Sequence, residues 1–167
     1  MKRAQYTGQA VVLNGNQLII KRLSFFFCFW MLSITGIAQY SFDDDTIEIG
    51  VAEWLADSGE ATVTYGAIST WDVSLVTDMS GLFQNTSFND DISDWDVSLV
   101  TNMNAMFRNT PTFDQDIGNW NVSRVTTMSR MFDNAAVFNQ NIGSWDVGIV
   151  TEMQRMFRNS LLFNKDI

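Results

Sequence analysis

From Ile68 onward, apolar and polar positions recur at a fixed interval. Trp71-Asp72-Val73-Ser74 returns as Trp95-Asp96-Val97-Ser98, Trp120-Asn121-Val122-Ser123 and Trp145-Asp146-Val147-Gly148, at spacings of 24, 25 and 25 residues. Trp and Val stand two apart, the spacing of one strand face. In the second copy Val100, Met103, Met106 and Phe107 then fall at i, i+3, i+6 and i+7, the stripe of a helix of about two turns. A unit copied at this period cannot bury its apolar face alone and must stack on its neighbours. The pattern therefore predicts an α/β solenoid, each repeat of about 25 residues being a short parallel strand followed by a helix.

Each register position then has a predicted role. Trp71, Trp95, Trp120 and Trp145 build the core with Val73, Val97, Val122 and Val147. On the helical stripe they are joined by Met79, Met103, Met128 and Met153, and by Phe83, Phe107, Phe132 and Phe157. A Met ladder could in principle take a soft metal, but pliable thioethers filling gaps between stacked units is the stronger reading. Thr77, Thr101, Thr126 and Thr151 stand where helix N-caps would be. Asn85, Asn109, Asn134 and Asn159 follow the helix at a turn, since Asn tolerates the left-handed region. Copy one is a residue shorter, between Phe83 and Phe88, in the loop where length changes are tolerated.

The polar columns are the only periodic feature a ligand could read. Asp72, Asp96, Asn121 and Asp146 alternate with the apolar Trp and Val, so a strand would turn them outward. Ser74, Ser98 and Ser123 flank them, with Asp94, Asn119 and Ser144 in front. Two readings stay open. The Asp and Ser side chains bond to local backbone and make a tight turn, or they line a shallow concave binding face. The acidic loops at 88–91 and 113–116 are candidates for weak Ca2+ binding only, because they lack the EF-hand pattern. No other cofactor or metal is predicted.

Residues 39–67 are not a copy of the repeat and read as an N-terminal cap. Their apolar positions suit either a strand at 47–51 or a helix over Ile49–Leu55, ended by Asp57-Ser58-Gly59. Ala61-Thr62-Val63-Thr64-Tyr65 alternates and suggests a short strand. Before the cap, Lys21-Arg22 leads into an apolar run over residues 23–38 that ends Gly36-Ile37-Ala38. Residues 1–38 read as a secretory signal peptide with a long basic leader, with a retained membrane anchor as the alternative. The repeat array, 68–167, stops where a fifth Trp phrase would begin. That leaves an open final repeat through which copies could self-associate, or marks a truncated array.

Composition narrows the chemistry. All 19 acidic residues lie after position 40, and from Gln39 onward only six bases oppose them, a net of -13. That excludes a nucleic-acid partner, which wants a basic stripe. There is no His, and the single cysteine is Cys28. The commonest general base, disulfides within the chain and Cys-based zinc sites are all excluded. Only paired carboxylates could catalyse, and none is isolated in an apolar setting, so the chain reads as non-enzymatic.

The phrase Phe-Asn-x-Asp-Ile-x-x-Trp-Asp-Val-Ser-x-Val-Thr-x-Met-x-x-Met-Phe resembles the 25-residue repeat of the BspA-like leucine-rich-repeat surface proteins. That family is also catalogued as a domain of unknown function in bacterial surface proteins and lipoproteins. The resemblance covers residues 68–167 and implies a leucine-rich-repeat-like, right-handed coil with Trp95 and Val97 inward and Asp96 outward. It also implies a secreted or bacterial cell-surface protein for recognition of an extracellular protein or glycan, or for adhesion. The alternative is a structural spacer or self-associating surface array without a specific ligand. The repeat brings no catalytic residues with it.

Overall fold

The computed structural model of the protein describes residues 39–167. The chain divides into two units, Met1–Gly36 and Ile37–Ile167. The export segment expected over 1–38 lies outside the described residues. Among the described residues, no helix is long and apolar enough to cross a membrane.

Two helices precede the repeats, α1 (Ile47–Ala56) and α2 (Ser58–Tyr65). Helix α1 realises the helical alternative for its segment and buries Ile47, Gly50 and Val51. Gly50 is required there, because a Cβ would sit 2.4 Å from the Phe42 ring. Helix α2 overturns the strand expected at 61–65. Asp57 caps its start, accepting from the amides of Gly59 and Glu60. The Thr62 and Thr64 hydroxyls bond back to the carbonyls of Ser58 and Glu60, so the alternating β-branched residues serve a helix. Phe42 stacks on Trp71 at 4.5 Å and links this segment to the first repeat.

The repeats do not fold as a strand-and-helix solenoid. Among the described residues there is no strand, only isolated parallel bridges such as Asp78 with Asn102, Asn102 with Thr127 and Thr127 with Glu152. The only α-helices there are α1 and α2. What forms instead is a set of irregular coils, at 68–91, 92–116, 117–141 and 142–166, bonded edge to edge.

The reason lies in the backbone. Gly81, Ala105, Arg130 and Arg155 have φ of 66°, 56°, 58° and 62°, and Asn85, Asn109, Asn134 and Asn159 have φ of 62°, 56°, 62° and 60°. A left-handed residue every fourth position ends an α-helix before it can propagate. Within a coil, alternate amides close three-residue turns, as Met106 N to Met103 O at 3.3 Å and Arg108 N to Ala105 O at 3.0 Å. The intervening amides leave the coil: Met103, Ala105, Phe107 and Asn109 donate to the carbonyls of Thr127, Ser129, Met131 and Asp133 at 2.8–3.0 Å. Half of the donors thus serve turns and half serve the neighbouring coil. The spacing of three that reads as a helical stripe is the period of these turns.

Side chains continue the stacking. Phe83, Phe107, Phe132 and Phe157 form one column at centroid spacings of 5.5, 5.7 and 5.6 Å. Phe88, Phe113, Phe138 and Phe163 form a second at 6.2, 5.9 and 5.9 Å. The core positions assigned from sequence are buried through the third coil, Met79, Met103 and Met128 included. The fourth departs. Val147 and Met153 are 39% and 38% exposed and Phe157 is half-buried, because no described residue stacks on that side.

Candidate functional site

Thr77, Thr101, Thr126 and Thr151 are not helix caps, since no helix starts there. Each of the last three donates its amide to the Thr carbonyl one coil earlier at 2.8 Å, with its hydroxyl at 3.1–3.2 Å from the same oxygen. They are rungs between coils. At the head of the column the Asp44 carboxylate stands in for a missing carbonyl. It accepts from Thr77 N and Oγ1 at 2.6 Å and from Asp78 N at 3.0 Å. Burial alone would raise its pKa, but these three bonds outweigh it and hold the carboxyl below its ordinary value.

The residues proposed as an outward ribbon lie in turns. Asp72 Oδ1 accepts from the amide and hydroxyl of Ser74, and Asn121 Oδ1 does the same for Ser123. Asp96 takes the amide of Ser98, and Asp146 that of Gly148. The Ser74 hydroxyl, then its amide, lowers the Asp72 pKa. Ser144 donates to the Gly118 carbonyl at 2.7 Å. Asp94 and Asn119 are exposed. With no strand to carry them, these side chains form no strand face. The recognition or adhesion mechanism that relied on one loses its surface, and a spacer or array of strand-and-helix coils loses its architecture.

The loops considered for Ca2+ are occupied by their own bonding. Asn89 Oδ1 accepts the Asp114 amide, Asp114 Oδ1 the Asn139 amide and Asn139 Oδ1 the Asn164 amide, at 2.8–3.0 Å. Asp91 Oδ1 takes the Ser93 amide and hydroxyl, which depress its pKa, and Asp116 Oδ1 takes the Gly118 amide. No group of three His, Cys, Asp or Glu that could hold a metal occurs among the described residues.

Two features went unread in the sequence. One is an open groove of about 580 Å³ between α1 and the shortened first loop, lined by residues that include Trp54, Ser58, Ser87, Asn89 and Asp90. The Trp54 indole donates to Asp90 Oδ2 across it at 2.7 Å. The other is an ion pair between a buried carboxylate and an exposed arginine. Asp133 is fully buried and accepts two bonds from Arg158, at 2.8 and 2.6 Å, while the buried Nε of Arg108 lies 3.9 Å away without a hydrogen-bond partner among the described residues. The bond to Asp133 raises the Arg158 pKa further. Gln84, Arg108, Asp133 and Arg158 occupy one register position, directly after the core Phe, so the alternating charge was visible to anyone aligning the copies.

The fourth coil carries the same row of amides as the coils before it. The amides of Met153, Arg155, Phe157 and Asn159 match those that cross to the next coil elsewhere, yet here they meet no acceptor among the described residues. The Asn159 amide group donates to Asn134 Oδ1 at 2.7 Å, continuing a ladder through Asn109 and Asn85, and its own Oδ1 accepts nothing among the described residues. Around this row Val147, Ile149, Met153, Leu161 and Leu162 are 38–79% exposed.

No curated protein and no solved structure matches the chain. The likeness to BspA-like leucine-rich repeats fails at the level of architecture, since no strand-and-helix unit recurs. Over residues 56–167, the chain belongs to the family described as Mycoplasma protein of unknown function, DUF285.

Proposed function

We propose that the chain is a non-catalytic protein that works outside the cytoplasm. The carrying observation is the apolar run at 23–38 behind Lys21-Arg22, which closes on Gly36-Ile37-Ala38. The absence of His and the placement of the ribbon Asp residues in turns support a role without chemistry.

Fractionation of cells that express the full chain, with N-terminal sequencing of the product, tests this. The expected result is a product outside the cytoplasm that begins at Gln39. A full-length product retained in the cytoplasm overturns the proposal.

A further inference from the structure

The groove between α1 and the first coil coincides with two departures of that coil from the later ones. Its loop from Phe83 to Phe88 is one residue shorter, and Asp90 stands where Gln115 and Gln140 stand in the next two coils. Those glutamines reach back with their amide groups to the carbonyls of Asn89 and Asp114, at 2.8 Å, and tie coil to coil. Asp90 has no such group to donate. Its Oδ2 instead accepts the Trp54 indole N–H of α1 at 2.7 Å.

The groove wall keeps bonding capacity that the fold does not use. Asp90 Oδ1 accepts nothing among the described residues, and the hydroxyls of Ser58 and Ser87 have no partner there either. Asp90, Ser58 and Ser87 are exposed. Trp54 is half-buried, its ring set at 86° to that of Trp71 with centroids 5.8 Å apart. The groove therefore offers one oriented carboxylate, two hydroxyls and a fixed indole whose N–H bond to the carboxylate polarises the ring. At about 580 Å³ it lies within the range of small-ligand clefts, roughly 300–1,000 Å³.

Charge decides which ligand suits these groups. Residues 39–107 carry thirteen carboxylates and no Lys or Arg. A cleft in a field of one sign concentrates the opposite charge, whereas a neutral polyol gains nothing from that field and an anion is repelled. An indole face attracts an ammonium through its quadrupole, and its apolar body takes an alkyl chain. We infer that the groove binds a small primary alkylammonium ion. Its nitrogen donates to Asp90 Oδ1 and to the hydroxyls of Ser58 and Ser87, and its alkyl chain lies against the Trp54 ring.

Titration of the full chain with n-butylammonium chloride tests this, read at the Trp54 indole N–H resonance, which Trp54→Phe identifies by its loss. The expected result is a saturable shift with a millimolar midpoint that potassium chloride and methyl glucoside at equal concentration do not produce. In Asp90→Asn the midpoint should rise about tenfold, because a bond to a charged acceptor is lost. Circular dichroism confirms that this variant is folded; Ser87→Lys, which tethers a competing ammonium at the exposed rim, replaces it if it is not. No saturable shift in the unmodified chain overturns the inference. So does a shift that either control reproduces, or one that the folded variant leaves unchanged.

Discussion

The Asp44 carboxylate and Thr77 meet through two bonds of 2.6 Å, one to the amide and one to the hydroxyl of the same residue. Elsewhere in that column a Thr amide and hydroxyl both approach the Thr carbonyl one coil back. A side chain from outside the repeats thus supplies the acceptor that a preceding coil would have supplied.

This substitution predicts a pH dependence. Asp44, Asp72 and Asp91 all have folded pKa values below those of an unfolded chain. A depressed carboxylate contributes stability that is fully present above its unfolded value, about 3.9, and is lost as pH falls through the folded value. All three are largely solvated, so each contribution is small. Acid titration at fixed urea should show stability flat above about pH 5 and falling below about pH 3.9, with a shallower fall in Asp44→Asn.

Ala105 tests the backbone account of the repeats directly. Its φ of 56° puts an L side chain in the left-handed region. Relief of that strain, about 1–2 kcal/mol, exceeds the extra unfolded-state entropy of glycine, about 0.4–1 kcal/mol. Ala105→Gly should therefore stabilise the protein by about 0.5–1 kcal/mol in urea denaturation. In a helix, the same change would destabilise by about 1 kcal/mol.

Asn109 sits in the middle of the asparagine ladder, donating to Asn85 and accepting from Asn134, both at 2.6 Å. Asn109→Gly keeps the left-handed backbone and loses both bonds, a cost of about 1–3 kcal/mol. Asn109→Ala adds the left-handed penalty and should cost about 1 kcal/mol more. Chemical denaturation of the two variants side by side reads the order.

Phe107 touches Phe83, Phe113, Phe132 and Trp120, with ring centroids 3.8 to 6.4 Å away. Phe107→Ala should cost about 3–5 kcal/mol. Phe157→Ala, at the half-buried end of the same column, should cost less than half as much. Equal losses in thermal unfolding would show that the fourth coil is covered.

Gly118 meets the next coil closely. A Cβ there would lie 2.4 Å from the Asn141 carbonyl oxygen, whereas at Gly143 the nearest atom is the Asp166 carbonyl oxygen at 3.3 Å. Gly118→Ala must push backbone apart and should lower the melting temperature clearly, while Gly143→Ala should shift it little.

The sequence by itself determined the period and the buried columns. A Trp or Phe returning every 24 or 25 residues is buried mainly by its own copies, and the absence of His needs no structure to be seen. The left-handed asparagines were also legible, because that residue type tolerates the conformation. Tertiary structure decided what the backbone does between those columns. A spacing of three suits a helical stripe and a chain of three-residue turns equally well. The choice fell to positive φ at Ala105, Arg130 and Arg155, residue types that give no local sign of it. Ala105 and Arg130 are held there because their amides reach carbonyls of the next coil, those of Ser129 and Gln154, far off in sequence. The same long-range bonding made Thr77 the partner of Asp44 and turned the expected helix caps into rungs.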